Sequence, residues 1–194
     1  VAAIFPFEAA AYRQAGANVT FVGHPLLDIV KPSMSREDAI SYFQASPEVH
    51  RVLLMPGSRK QEILNLLPDM LGAAEIIASK VPNCQFFLPV ASTISQEMLQ
   101  TVLKRYKVAV KLTVDRTYDL MNICHIAIAA SGTATLETSL MKVPTVIIYR
   151  VATLTYLIGK VLVKIPNIGL PNIVAGRRIL PALLQHDVTP ALIA

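Results

Sequence analysis

Ala129-Ala-Ser-Gly-Thr-Ala-Thr-Leu-Glu137 follows the short apolar run Ile126-Ala-Ile-Ala-Ala130. An apolar run that breaks at Ser131-Gly132-Thr133 and resumes as a helix-forming pattern reads as a strand, a tight turn and a helix N-terminus. The first backbone N–H groups of such a helix have no partner within it, and the macrodipole concentrates partial positive charge at the same end. Ser131 and Thr133 add hydroxyl donors, and Gly132 lets the backbone approach closely. Glu137 lies four residues beyond Thr133, on the same helix face at a rise of about 6 Å. A phosphate at the turn therefore places an attached ribose within reach of a carboxylate that accepts hydroxyl hydrogens. The stretch reads as a nucleotide diphosphate site or, equally, as an ordinary N-cap followed by a surface Glu.

Working outward, Arg51-Val-Leu-Leu-Met55 is a second short buried strand running into Pro56-Gly57-Ser58-Arg59 and a long helical pattern over 60–80, with Pro68 near a kink. A cation is electrostatically disfavoured at a helix N-terminus. An anionic ligand gripped by Arg59 through paired hydrogen bonds is a reason for its position; a solvated Arg is the alternative. Further strands are expected at 18–22, 84–88, 108–112 and 144–148, alternating with helices at 6–16, 35 onward, 95–106 and 116–124. That alternation predicts an α/β fold, a Rossmann-like parallel sheet with helices on both faces. Ligands of such sheets bind at the carboxyl ends of the strands, where Gly57, Ser58, Arg59, Ser131, Gly132, Thr133, Tyr149 and Arg150 all fall.

The rest of the chain offers weaker signals. His24 beside Pro25 reads as a turn or capping residue before a ligand contact. Asp119 and Tyr118 read as surface and packing residues. Segment 164–176 reads as an irregular loop in which Asn172 is either a turn residue or an amide facing a ligand, and 180–185 as a short helix whose Gln185 reaches the same crevice. The first residues read as the end of a buried strand and the last as the start of a helix, so sequence is expected beyond both ends.

Hydrophobic residues make up 53% of the 194, and mean hydropathy is +0.49. No run reaches the roughly 18 apolar residues of a membrane span; residues 151–163, bordered by Arg150, Lys160 and Lys164, read either as an interfacial or as a core helix. The net charge of +5 favours an anionic partner. Nucleic acid is the weakest such partner, because the basic residues are scattered. Cys84 and Cys124 form no CxxC and read as reduced core cysteines of a cytoplasmic protein. No G-x-G-x-x-G, P-loop, metal-spaced His set or nucleophile elbow is present, leaving phosphate handling by amides and Arg.

Taken in order, Phe5-Pro-Phe-Glu8, Phe21-Val-Gly-His-Pro-Leu26, Leu54-Met-Pro-Gly-Ser-Arg59 with Glu62, Ala130-Ser-Gly-Thr-Ala-Thr-Leu-Glu137, Pro144 with Tyr149-Arg150, and Leu170-Pro-Asn-Ile-Val-Ala-Gly-Arg177 before Leu183-Leu-Gln185 resemble the lipid-A-disaccharide synthase family. The resemblance implies the C-terminal, nucleotide-binding half of a GT-B glycosyltransferase, inverting and without metal or cofactor. It implies transfer of diacylglucosamine from UDP to 2,3-diacylglucosamine 1-phosphate at the cytoplasmic face of the inner membrane, with no nucleic acid partner. Residues 1–22 then end an N-terminal acceptor domain, 23–32 link, and 33–194 bind the UDP-sugar. Gly57, Ser58, Arg59, Ser131, Gly132 and Thr133 hold the diphosphate, Glu137 the ribose, and Tyr149, Arg150, Asn172 and Gln185 line the sugar crevice. The family's general base has no position here, so this chain is expected to bind donor without turning it over. Arg178 and Ala182 depart from the acidic residues usual in the family. Another UDP-sugar enzyme, such as an epimerase or a peptidoglycan glycosyltransferase, and a non-catalytic nucleotide-binding module are the competing readings.

Overall fold

A computed structural model describes residues 1–151 and 168–194. Its core is a six-stranded sheet of β3 (His50–Met55), β4 (Cys84–Pro89), β5 (Val110–Thr113), β6 (Ile126–Ala130), β7 (Thr145–Tyr149) and β8 (Ala182–Leu184), in the order β5-β4-β3-β6-β7-β8. Every neighbouring pair is parallel. The chain moves outward from β3 through β4 to β5, crosses back to pair β6 against the other side of β3, then moves outward again. The direction of winding therefore reverses between β3 and β6, where Met55 pairs with Ala129. A crevice opens at such a switch point, beyond the carboxyl ends of the two strands.

Both faces of the sheet are buried because alternate strand residues point to opposite sides. Val52, Leu54, Phe86, Leu88, Ile128 and Ala130 join the core formed with α4 (Lys60–Lys80) and α5 (Gln96–Leu103). Leu53, Phe87 and Ala127 join the other, with α3 (Arg36–Tyr42) and α6 (Thr117–Ile123). At the amino ends of the strands the buried Arg51 spends its donors on carbonyls, Ile123 at 2.8 Å and Ser46 at 2.6 Å, so its charge is not left bare. Residues 1–30 carry a separate two-stranded sheet of β1 (Ala2–Ala3) and β2 (Thr20–Phe21) around α1 (Pro6–Gln14), followed by α2 (Leu26–Ile29). His24 accepts from the Leu26 N–H through Nδ1 at 3.1 Å, the turn-capping role expected of it.

The chain departs from the sequence reading in three places. Segment 180–185 is not a helix: residues 182–184 form β8, added in register to the exposed edge of β7, with Ile147 donating to the Pro181 carbonyl. Helix-forming leucines yield because open edge groups of β7 offer hydrogen bonds that a lone turn of helix cannot match. Within the expected loop, Leu170–Val174 is helical, α8, with Pro171 in its first turn. Asp119 is not a surface residue but 2% exposed, accepting from the Ser33 N–H and hydroxyl. The apolar stretch 151–163 and residues 164–167 lie largely outside the described residues, Val151 excepted. No helix among the described residues is long and apolar enough to cross a membrane.

The terminal helix α9 (Pro190–Ile193) is capped by Thr189, whose hydroxyl accepts from the Leu192 N–H. It packs on α4, where a Cβ on Gly72 would stand 2.8 Å from the Pro190 ring. Replacing a mid-helix Gly by Ala ordinarily stabilises by about 1 kcal/mol. Here the clash opposes that gain, so Gly72→Ala should leave the melting temperature unraised and Gly72→Leu should speed hydrogen exchange at the Ile193 amide. Unchanged exchange in the Leu variant would show that α9 does not depend on this seat.

Candidate functional site

The switch-point crevice is a cavity of about 490 Å³. One wall is the β3–α4 corner with Gly57, Ser58, Arg59 and Glu62; the other is the β6–α7 corner with Ser131, Gly132, Thr133 and Glu137, α7 spanning Thr133–Leu140. Thr117 and the segment 89–91 close the remaining sides. The two glycine-bearing corners thus face one space, each delivering a helix N-terminus to it.

Local geometry explains the residue choices. Gly57 has φ +108°, a conformation L side chains rarely adopt, and a Cβ there would stand 2.5 Å from Glu62 Oε2. The β4–α5 loop steadies this corner: the Thr93 hydroxyl donates to the Ser58 carbonyl at 3.0 Å. Gly132 caps α7 with no side-chain cap bond, and among the described residues neither the Ser131 nor the Thr133 hydroxyl makes a hydrogen bond. The hydroxyl that closes the turn belongs instead to Thr135, which donates to the Gly132 carbonyl at 2.7 Å. Ser131 and Thr133 are thus not the side-chain caps of their helix.

Arg59 donates to Glu62 at 2.6 Å, and four-fifths of its side chain is exposed. The cation at this helix N-terminus therefore has a protein counter-charge one turn on, and an anionic ligand is not the only reason for its place. Glu62, quoted in the sequence only as part of a motif, is a wall of the same cavity. The second residue that sequence reading missed is Tyr118, whose hydroxyl donates to Glu137 Oε1 at 2.9 Å. Burial, then the hydrogen bond to the carboxylate, pushes its pKa up to about 12, so it is a neutral donor at physiological pH.

The other four expected residues do not line this cavity. Arg150 donates to Asp69 at 2.6 Å, the Asn65 carbonyl at 2.8 Å and the Val188 carbonyl at 2.6 Å, tying β7 to α4 and the chain end. Tyr149, at 39% exposure, precedes it. Asn172, 1% exposed, donates to the Ile168 and Leu180 carbonyls and accepts from the Ile179 and Leu180 N–H groups, which organises its loop. Gln185 pairs its amide with both backbone groups of Val151, at 2.8 and 3.0 Å. Among the described residues no group of three or more His, Cys, Asp or Glu is placed to hold a metal ion.

Strand order, parallel register and a crevice flanked by two helix N-termini at the switch point define a Rossmann-like α/β domain. Comparison with known proteins narrows this. The family model for lipid-A-disaccharide synthetase matches residues 1–194, and the chain belongs to that family. Proteins named lipid-A-disaccharide synthase from Geobacter sulfurreducens and Syntrophus aciditrophicus are each 45% identical to it, and one from Nitrosococcus oceani is 44% identical, in each case across 100% of the chain. The chain spans about half the length of these relatives, 50 to 51%.

Proposed function

We propose that this chain is the donor-binding half of a GT-B glycosyltransferase of lipid A biosynthesis. It grips the diphosphate of UDP-2,3-diacylglucosamine between the Gly57–Arg59 and Ser131–Thr133 corners, with Glu137 on the ribose. The reaction joins that sugar, with inversion, to 2,3-diacylglucosamine 1-phosphate, giving lipid A disaccharide 1-phosphate and UDP. The observation that carries the reading is the meeting of both corners and Glu137 around one cavity. Helix N-termini and a guanidinium there offset the charge that builds on a departing diphosphate. Arg150, Asn172 and Gln185 act by fixing the walls on the sugar side, since their hydrogen bonds go to the protein, and the exposed Tyr149 borders that side. The base that deprotonates the acceptor is supplied by the part of the relatives that this chain does not span, so the chain alone binds donor without turnover. Because both substrates carry acyl chains, the enzyme acts peripherally at the cytoplasmic face of the inner membrane; the +5 charge and the apolar sequence 151–163, bordered by Arg150 and Lys164, support that reading.

Calorimetry with UDP tests the site. Glu137→Ala should weaken binding about tenfold, because the ribose hydroxyls lose a charged acceptor. An unchanged affinity would remove Glu137 from the site. In turnover by the full protein, acylated donor should be used in preference to deacylated UDP-glucosamine, and equal use of both would overturn the lipid assignment.

A further inference from the structure

Glu137 stands on the boundary of two cavities. Besides the crevice already described, it borders a second one of about 500 Å³ lined by Lys31, Ser33, Arg116, Thr117, Tyr118 and Asp119. Thr117 and Glu137 belong to both, so the start of α6 and the α7 carboxylate together form the partition. Across that partition runs the Tyr118 hydroxyl to Glu137 Oε1 hydrogen bond, joining α6 to α7 over 19 residues of sequence. Among the described residues Oε2 accepts no hydrogen bond.

A free glutamate on a helix samples many rotamers, and each must be given up when it binds a diol. A phenol that is part-buried and held neutral fixes one oxygen and thereby the plane of the carboxylate. We infer that Tyr118 is a positioning residue for the nucleotide donor: by holding Oε1 of Glu137 it aims Oε2 at the ribose hydroxyls, and it acts through Glu137 rather than on the ligand's phosphates. This rests on the donor-site reading above and deepens it by assigning how the ribose is selected. It also separates the ribose grip from the diphosphate grip, which lies at the two glycine corners and does not touch Tyr118.

The test is calorimetry on the full chain with UDP and with 2′,3′-dideoxy-UDP, comparing the unaltered protein, Tyr118→Phe and Glu137→Gln. Phe keeps the ring and removes only the donor. The unaltered protein should prefer UDP over the dideoxy compound about tenfold, and Tyr118→Phe should lose about three- to tenfold affinity for UDP while holding its affinity for the dideoxy compound, so that the preference shrinks. Glu137→Gln should abolish the preference, and Tyr118→Phe added to it should cost nothing more. A merely structural tie would weaken both ligands alike or leave both unchanged, and either outcome overturns the inference. If UDP binds and Glu137→Gln weakens it while Tyr118→Phe does not, the positioning role alone falls. If the unaltered protein binds no UDP, the donor-site reading falls and the inference with it.

Discussion

Arg59→Ala should weaken UDP binding by about 30- to 100-fold, the largest loss of any single change at the cavity. Among the described residues that line it, Arg59 is the one cation, facing the carboxylates of Glu62 and Glu137. Removing it leaves two negative charges and the partial charges of two helix N-termini to receive a diphosphate. The guanidinium is held by Glu62 at 2.6 Å, so binding exchanges one charged acceptor for another on a side chain that is already largely exposed. Arg59→Lys should recover only part of the loss, since an ammonium group cannot fork onto two phosphate oxygens. The affinity should also fall as salt is raised, and less steeply in the Ala variant. Titration of UDP into the three proteins at two ionic strengths decides it: an Ala variant that binds as the unaltered protein does would show that the β3–α4 corner is not the phosphate grip.

Both corners were legible in the sequence because each is local: an apolar run, a glycine, then a helical pattern, all within about ten residues of one another. That the two corners meet was an inference from α/β topology, and the β3–β6 pairing of Val52–Met55 with Ile126–Ala129 is what brings them together. What the sequence hid has partners far away along the chain. Asp119 looks like any acidic residue in a first helical turn; its burial comes from Ser33 and Met34, 86 and 85 residues earlier. Tyr118 is one more aromatic until α7 arrives beside it. β8 carries no strand signal of its own, since three residues at a sheet edge are held by the backbone of β7 and not by their propensity. Arg150, Asn172 and Gln185 were singled out as polar residues at a strand end, in a loop and on an expected short helix. Their amides and guanidinium group are instead taken up by backbone carbonyls and N–H groups and, for Arg150, by the Asp69 carboxylate as well, partners that no sequence pattern records.

Asp119→Ala should cost about 3 kcal/mol and lower the melting temperature by about 6–12 °C, more than any surface change. The carboxylate accepts from the Ser33 N–H at 2.6 Å, the Ser33 hydroxyl at 2.7 Å and the Met34 N–H at 3.0 Å, and so fastens the segment before α3 to the first turn of α6. Beside it Arg116 sits at φ +52°, an unfavourable backbone for a residue with a side chain, kept there by its bond to the Ser33 hydroxyl at 3.1 Å and its stacking over Tyr42 at 5.2 Å. Removing the carboxylate leaves two backbone donors without their acceptor and releases the contacts that hold this strained residue. Asp119→Asn keeps the shape and one acceptor oxygen, so about 1 kcal/mol is expected. Because Thr117 and Tyr118 border the cavities from the same turn, the Ala variant should also bind UDP more weakly, whereas exchange at the Met34 amide reports the structural role directly. A melting temperature within about 2 °C of the unaltered protein, with Met34 exchange unchanged, would mean that the α3–α6 packing holds this segment without Asp119.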